Sequence, residues 1–409
     1  MSVQTPAIMM GGPEFRRLAS AMLAAGLATF ALLYTTQPML PALAATFDVT
    51  PAEASLAVSL ATGPMAIALL FAGAISDRVG RRSVMIVSLF AASMLTLLTA
   101  FVPNWHLLLA ARLLVGLALS GVPAVAMAYV AEEVDGGSIG AAMGLYISGS
   151  TIGGMAGRLG VAVVADHYGW RAALAAMGGL CLAIAMLFAW LAPPSRGFVS
   201  RRQDGRAFVA GLGRLWRDDA LCWLYLTAFV LMGGFVTLYN YAGFHLQGAP
   251  WRLSQSAVGV IFLLYIVGTV SSAWFGGLAG RLGPRRVFWI PTALFMAGLL
   301  LTVTPSLILT IVGLGVATGS FFGAHSIAST WVSRRAGADR AQAASLYLFF
   351  YYMGSSVLGS AGGIAWGRSG WDGIVGFVAV LLLVALAIAI RLRSVPPLAG
   401  DPIPIHGAA

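Results

Sequence analysis

Three ionisable side chains, Arg112, Arg158 and His325, lie within long apolar stretches of the sequence. A charged group inside a membrane is costly, so such residues generally face a polar partner or a water-filled cavity and serve ion binding or proton relay. Imidazole changes charge near neutral pH, which makes His325 a candidate for proton coupling. Arg158 is a candidate for contact with a polar or anionic substrate group. The structural alternatives are snorkelling of Arg112 to the headgroups, anchoring of Arg158 at the outer interface and a packing role for His325.

Acidic residues are absent from the same apolar stretches, because all 14 Asp and Glu residues lie in polar segments or at the ends of apolar ones. The residue that carries a proton is therefore not assigned to a carboxylate. The sequence has no H-E-x-x-H, no G-x-S-x-G after a strand and no nucleotide-binding loop. Cys181 and Cys222 have no second ligand type nearby. The sequence predicts no enzymatic activity, no cofactor and no metal site.

Residues 73–82 form a charged segment, G-A-I-S-D-R-V-G-R-R, between two apolar stretches. Glycine permits the sharp turn of a short connection between two membrane helices, and the arginines stay in water near anionic headgroups. Asp77 can accept from the positive N-terminus of another helix. We predict that this segment holds the inner face shut against residues 339–342. Its candidate gating residues are Gly73, Asp77, Arg78, Gly80, Arg81 and Arg82.

Two further charged pairs are candidates for the same gate. Glu132 and Glu133 end an apolar stretch, and they are expected to pair with Arg81 or Arg78 or to serve as proton carriers. Arg334 and Arg335 stand 202 positions later. Opposite charges at matching positions favour a pair that closes the inner gate, although surface ion pairs are individually weak.

Polar and aromatic residues within several apolar stretches predict the lining of a substrate cavity, because pockets for amphipathic organic compounds are mostly apolar with a few polar groups. Packing is the alternative for any aromatic stripe. With Arg158, the candidates are Tyr34, Gln37, Tyr239, Asn240, Tyr241, Tyr265 and Tyr351.

The composition identifies a protein that crosses a lipid bilayer several times. Of 409 residues, 59% are hydrophobic and 9% charged, against about 25% charged in soluble domains. About 20 apolar residues make one crossing, which predicts an all-α integral membrane protein with twelve spans. We number them span 1 to span 12: 18–40, 52–75, 84–101, 107–130, 141–164, 172–191, 221–244, 257–279, 287–303, 307–328, 343–364 and 374–390.

The spans divide into two halves that repeat. Gly276 follows Gly73 by 203 positions, and Gly283 follows Gly80 by the same 203. The predicted organisation is therefore a tail at 1–17, a six-helix bundle at 18–191, a linker at 192–220, a second six-helix bundle at 221–392 and a tail at 393–409.

The distribution of arginine predicts the orientation. The sequence contains no lysine, and most of its arginines lie in segments that share one side with both termini. By the positive-inside rule that side is cytoplasmic. The net charge of +10 is thus a topology signal, and nucleic acid is not an expected partner.

Residues 73–82 resemble the signature loop G-x-x-x-D-R-x-G-R-R/K between the second and third helices of the major facilitator superfamily. Arg112 and Gly116 are similar to that superfamily's fourth-helix R-x-x-x-G motif, which implies a role for Arg112 in proton coupling. The glycines of span 5 resemble the antiporter signature G-P-x-x-G-G, with Ser150 in place of proline, or serve general helix packing. They are Gly149, Gly153, Gly154 and Gly157.

The resemblance is to the drug:proton antiporter branch, near bacterial inner-membrane permeases grouped with predicted arabinose-efflux proteins. It implies two six-helix bundles with the first, fourth, seventh and tenth helices along the central path, and a monomer in the bacterial inner membrane. The predicted function is proton-coupled efflux of small organic compounds, drug-like or sugar-like, by alternating access. The alternatives are a proton-coupled uptake symporter or a uniporter of a small metabolite. An intramembrane enzyme or a structural membrane protein is the alternative of another class.

Overall fold

The structure is a computed structural model that describes residues 8–196 and 205–396, of which residues 205–209 are described by their backbone. Parts of the predicted tails and linker, residues 1–7, 197–204 and 397–409, lie outside the described residues. Regular structure in the described part is helical. Its single isolated β-bridge joins Ile8 to Val134, at the end of span 4.

Nine helices in the described part of the chain are long and apolar enough to cross a membrane. They are Pro13–Phe47, Pro51–Val79, Arg81–Thr99, Trp105–Glu133, Ile139–Leu191, Asp219–Gln247, Gln255–Leu282, Leu307–Arg335 and Gly337–Leu392.

Two of these helices are more than twice the length of one crossing, at 53 and 56 residues. Each contains a non-helical break, at Gly169 in the first and at Ser369 and Gly370 in the second. Each therefore forms two spans. The short helices Pro284–Val287 and Trp289–Leu301 form span 9. The prediction of an all-α protein with twelve spans is confirmed.

Span 1 differs from the single helix that the sequence predicts. It begins at Pro13, and its first helix ends at Leu33. A 3₁₀ turn, Gln37–Met39, then joins it to a second helix, Leu40–Phe47. Proline lacks a backbone donor and disfavours helical geometry in the preceding residue, so Pro38 accounts for a break at this point.

Span 5 packs closely on span 1 through its glycines. A Cβ atom placed on Gly149, Gly153 or Gly157 would overlap the backbone of residues 23–31 of span 1. Small residues at four-residue spacing permit this approach between membrane helices. Gly154 lies beside the Arg158 guanidinium instead.

Burial singles out four of the membrane helices. The buried share of the most apolar segment is 78% in Pro13–Phe47 and in Asp219–Gln247, 61% in Leu307–Arg335 and 56% in Trp105–Glu133. It is 50% or less in the other five. These four contain spans 1, 7, 10 and 4, the helices that the family resemblance places along the central path.

The chain packs as two compact units that do not follow the repeat boundaries throughout. The first unit contains residues 8–196 together with Tyr239–Leu263 and Gly359–Gly363. The second contains Arg206–Leu238, Leu264–Leu358 and residues 364–396. The end of span 7 and the beginning of span 8 thus belong to the first unit.

Candidate functional site

Arg112 braces the break in span 1. Its side chain is fully buried, and its three nitrogens donate to the carbonyl oxygens of Ala57 at 3.0 Å, Leu32 at 3.3 Å and Leu33 at 2.6 Å. Carbonyls at a helix end lack partners within the helix, so the guanidinium supplies the donor that Leu33 would otherwise miss. The Leu32 carbonyl also accepts from the backbone N–H of Thr35 at 3.5 Å. The snorkelling alternative for Arg112 is therefore wrong. Arg112 ties spans 1, 2 and 4 together at the break.

Arg158 lies beside the same break. Its side chain is 4% exposed, its Nε donates to Gln37 Oε1 at 2.7 Å, and its Nη1 donates to the Gly154 carbonyl. The helix runs on past the predicted end of span 5 at residue 164 to the break at Gly169, which is eleven residues beyond Arg158, or about 16 Å at 1.5 Å per residue. The burial of Arg158 and its bonds inside the protein contradict anchoring at the outer interface.

Gln37 links Arg158 to Asn240. Arginine has donors only, so the Gln37 atom that faces it is the amide oxygen. The Gln37 nitrogen then donates to Asn240 Oδ1 at 2.8 Å. The Asn240 nitrogen, in a side chain 1% exposed, has no hydrogen-bond acceptor among the described residues. The chain of bonds thus ends in a buried amide donor that lacks an acceptor.

Aromatic rings cover the Arg158 guanidinium. Its central carbon lies 4.3 Å from the centre of the Tyr34 ring and 5.4 Å from that of Phe262. Both distances suit a cation–π interaction. Tyr239 stacks on Phe262 with ring centres 5.5 Å apart. All of these residues belong to the first unit.

The other predicted cavity residues lie elsewhere. Tyr241 packs against Phe244, with ring centres 6.2 Å apart. Tyr265 and Tyr351 belong to the second unit, where Tyr265 packs against Phe322 at 5.4 Å. Of the predicted substrate residues, the structure brings together Tyr34, Gln37, Arg158, Tyr239 and Asn240.

His325 forms a separate aromatic cluster in the second unit. Its Nδ1 and the Tyr347 hydroxyl share a hydrogen bond of 2.9 Å. Its ring lies 4.8 Å from the Tyr351 ring and stacks on Phe321 at 6.2 Å. This environment holds the imidazole in one orientation beside a hydroxyl that can exchange a proton with it.

The charged loop at residues 73–82 is held by an ion-pair network. Gly80, at φ +103°, ends span 2 and begins span 3. Arg81 pairs with Asp77 one turn back and donates to Glu132 at 3.0 and 3.1 Å. The expected pairing of Glu132 with Arg81 is thus present. Asp77 and Arg81 side chains are each only 12% exposed.

Other members of the predicted gate lie around this network. Arg82 donates to the carbonyls of Ala189 at 2.6 Å and Ala192 at 2.9 Å, which joins span 3 to the end of span 6. Glu133 accepts from the Arg196 backbone at 2.8 Å. The remaining members of the loop, Arg78 and Gly73, are exposed and partly exposed, respectively.

A second charged cluster lies in the second unit. Arg335 donates to both oxygens of Asp218 at 2.8 Å, and Arg334 is exposed. Asp339 accepts two bonds of 2.8 Å from Arg214, which lies on the helix Gly205–Trp216. These bonds hold the pKa of the Asp339 carboxyl below its usual value. The predicted gating residues thus form two clusters, one in each unit.

The sequence matches the family model described as Major Facilitator Superfamily over residues 22–275, more than half of the chain. The chain belongs to the major facilitator superfamily. The inner membrane transport protein YnfM of Escherichia coli is 45% identical over 386 residues, covering 94% of this chain and 93% of YnfM. An uncharacterized MFS-type transporter of Bacillus subtilis, YybF, is 42% identical and covers 93% of this chain and 94% of its own length.

Solved structures of other transporters share the major facilitator fold. A bacterial homologue of the human lysosomal transporter Spinster, in an inward-facing and unoccupied conformation, superposes with a TM-score of 0.77 at 16% identity. The match covers 94% of this chain and 98% of that one. The nucleoside transporter NupG gives a TM-score of 0.74 at 13% identity, over 94% and 100% of the two chains.

Two site residues of this major facilitator protein are not singled out by its sequence. Phe262 precedes Tyr265, a predicted cavity residue, by three residues. The sequence could have indicated a role for Phe262 only through this shared helix face. Asp218, the partner of Arg335, stands beside Asp219 in a polar segment without a distinguishing pattern. Both contacts join residues that are far apart in the chain.

Proposed function

We propose that this protein is a secondary transporter that exports small organic compounds in exchange for protons by alternating access. The observation that carries the proposal is the interrupted first helix with a buried arginine at its break. Discontinuous membrane helices recur at the solute sites of secondary transporters, where they leave backbone and side-chain polar groups for the solute. The close relationship to YnfM, named as an inner membrane transport protein, supports transport.

Export by proton exchange is the finer part of the proposal. The glycines of span 5 that pack on span 1 support it, through their similarity to the antiporter signature. His325 is the proposed proton-carrying group, because an imidazole can gain and lose a proton and the Tyr347 hydroxyl is within hydrogen-bond reach. Arg112 is proposed to act by bracing the break, since its three nitrogens bond to backbone carbonyls.

The loop at residues 73–82 is proposed to set the balance between conformational states. Asp77, Arg81 and Glu132 form one network, and breaking it would change the relative stability of the states without touching the solute. We propose that the loop and both termini lie on the cytoplasmic side of a bacterial inner membrane and that the transporter acts as a monomer. Neither catalysis nor a bound cofactor is part of the proposal.

Uptake by symport, or uniport, is the second candidate. It is favoured by the absence of Asp and Glu from the interior of the spans predicted from the sequence, which leaves export without an assigned membrane carboxylate. Three relatives are named as transporters of gallate, niacin and gentisate, at 32%, 37% and 29% identity over 146, 131 and 279 residues. Their names support a small organic solute for either direction.

Everted membrane vesicles with an imposed acid-inside pH gradient test the proposal. The gradient is followed with a fluorescent probe while organic cations, sugars and organic acids are added one at a time. Export by proton exchange predicts that a transported compound collapses the gradient, and that His325→Gln vesicles lose the response. Entry of a compound down its own concentration gradient without proton movement would favour uniport over exchange.

A further inference from the structure

The position of Arg158 along span 5 is the starting observation. The helical segment runs from Ile139 to the break at Gly169, so Arg158 lies 19 residues from one end and 11 from the other. At 1.5 Å per residue these are about 28 and 16 Å. The guanidinium is therefore well inside the span, at the level where span 1 is interrupted at Gln37.

The Arg158 guanidinium is a hydrogen-bond donor that suits a carboxylate. The Gln37 amide oxygen and the Gly154 carbonyl accept from it now. A guanidinium binds a carboxylate through two parallel charge-assisted bonds, roughly twice as strong as bonds to neutral acceptors. An incoming carboxylate would therefore displace the Gln37 oxygen from Arg158.

Asn240 supplies the second, independent observation. Its nitrogen is a buried donor without an acceptor among the described residues, and a buried polar group left in that state costs free energy. Arg158 fixes the orientation of Gln37, which in turn directs the Asn240 oxygen towards Gln37. The free Asn240 nitrogen therefore favours an acceptor, as the guanidinium does.

The walls of this site are aromatic. Tyr34, Tyr239 and Phe262 are each at most 3% exposed, and their rings lie next to the guanidinium or to one another. Aromatic rings prefer offset-stacked or edge-to-face neighbours, and a flat apolar ring attached to the carboxylate would make those contacts. An aliphatic polyol would leave hydroxyls without partners against these faces.

We propose that Arg158 and Asn240 bind the carboxylate of an aromatic organic acid, with Tyr34, Tyr239 and Phe262 packed against its ring. This inference rests on the proposed transport function, since it names the class of solute for the same protein. Gln37 is a positioning residue in this arrangement, because it orients the Asn240 amide and is displaced from Arg158 by the ligand.

Binding is tested on the purified full-length protein in detergent by thermal unfolding with three probes of one shape. Benzoate carries the carboxylate, benzamide is its neutral counterpart and benzylamine carries a positive charge. The site predicts a concentration-dependent rise of Tm with benzoate, a smaller one with benzamide and none with benzylamine. Equal shifts with all three would overturn it.

Variants locate the binding. Arg158→Gln is expected to weaken benzoate binding about a hundredfold, from the loss of a guanidinium–carboxylate pair, and Asn240→Leu about tenfold, from the loss of one amide hydrogen bond to the carboxylate. Asn240→Asp keeps the volume but turns the donor into an acceptor, and it should abolish the benzoate shift. Arg171→Gln is the matched control, because Arg171 also lies over an aromatic ring, Trp170 at 4.2 Å, but outside the span.

The outcomes separate this inference from the proposed transport. Unchanged benzoate affinity in Arg158→Gln, or in both Asn240 variants if Arg158→Gln does not fold, would overturn the anion site. Binding is measured at equilibrium without a pH gradient. Arg158-dependent benzoate binding without proton exchange in vesicles would refute proton-coupled export alone, and proton exchange for another solute with no such binding would refute the anion site alone.

Discussion

Gln37 donates to Asn240 across 203 residues of sequence, at 2.8 Å. The same interval relates Gly73 to Gly276 and Gly80 to Gly283, so the two amides hold equivalent positions in the two halves of the chain. The side chains at equivalent positions of the two halves thus bond to each other, and each half does not form its own separate copy of one contact. Only the first of them faces an arginine, which makes the pair chemically asymmetric.

Replacing Arg112 with Leu should destabilise the protein strongly. The Leu33 carbonyl would lose its donor, at about 1–3 kcal/mol for a buried group, and the carbonyls of Leu32 and Ala57 would each lose one of theirs. We expect a marked fall in Tm and in the amount of folded protein extracted from membranes. Arg171→Leu is the control, since Arg171 donates to the Val102 carbonyl near the surface. Normal stability in Arg112→Leu would contradict a bracing role.

Gln37→Glu should lower the affinity for an added carboxylate. The new carboxylate would accept from Arg158 at the position of the present amide oxygen and would compete with an added anion. Benzoate affinity should fall at least about tenfold while Tm in the absence of ligand is maintained. Gln342→Glu adds the same charge in the second unit, which does not contain Arg158 or Asn240, and it should leave affinity unchanged. Full benzoate affinity in Gln37→Glu would argue against the site.

Asp77→Asn should lower transport without preventing insertion. The substitution weakens the contact with Arg81 while the bonds from Arg81 to Glu132 remain. A contribution of about 1 kcal/mol to one conformational state corresponds to roughly a fivefold change in its population. Transport per molecule should therefore fall about fivefold, measured against the amount of protein in the membrane. Glu14→Gln, which breaks an exposed pair with Arg196, should transport normally.

His325→Gln should separate transport from the proton gradient. Glutamine can still bond to the Tyr347 hydroxyl but cannot gain a proton near neutral pH. Movement of solute down its own gradient should persist, whereas driven transport should be lost. Tyr347→Phe keeps the imidazole and should shift the pH profile of driven transport. Driven transport at the normal level in His325→Gln would assign proton coupling to another group.

The Arg214–Asp339 pair should not contribute to pH dependence near neutrality. Arg214 lowers the pKa of Asp339, so its contribution to stability is present above the usual carboxyl pKa. It is lost only as the pH falls through the lowered value. Between about pH 5.5 and 8, Asp339→Asn should therefore show the same pH profile of transport as the unaltered protein. A profile that flattens in this variant would implicate Asp339 in coupling.

The fold is readable from the sequence because its dominant signal is long. Twelve apolar stretches of bilayer length and two charged turns 203 residues apart carry the architecture without knowledge of any single contact. The break in span 1 was not predicted because residues 18–40 are mostly apolar, and the short run Thr35-Thr36-Gln37-Pro38 is the local sign of it. The end of span 5 escaped because Asp166 and His167 read as a loop, whereas the helix extends to Gly169.

The site is only partly readable. The pairing of Arg81 with Glu132 follows from charges at the ends of neighbouring spans, and the structure contains it. The bond from Arg214 of the helix Gly205–Trp216 to Asp339 has no comparable signal in the sequence. The expected contact of residues 339–342 with the loop at residues 73–82 stays a prediction. Hydropathy indicates where along a membrane span a residue lies, but not which face of the helix it occupies. The contacts of Arg158 with Gln37 and Phe262 therefore required coordinates.

The brace at Arg112 bears on how selective the protein is. Arg112 of span 4 bonds to Leu32 and Leu33 of span 1 and to Ala57 of span 2. These bonds oppose changes in the backbone at the break when different solutes bind. A rigid site loses little conformational entropy when a solute of matching shape binds. It cannot rearrange to make new contacts with a solute of another shape, so that solute binds weakly. We therefore expect a narrow solute spectrum, in contrast to the broad tolerance of transporters whose pockets remodel themselves.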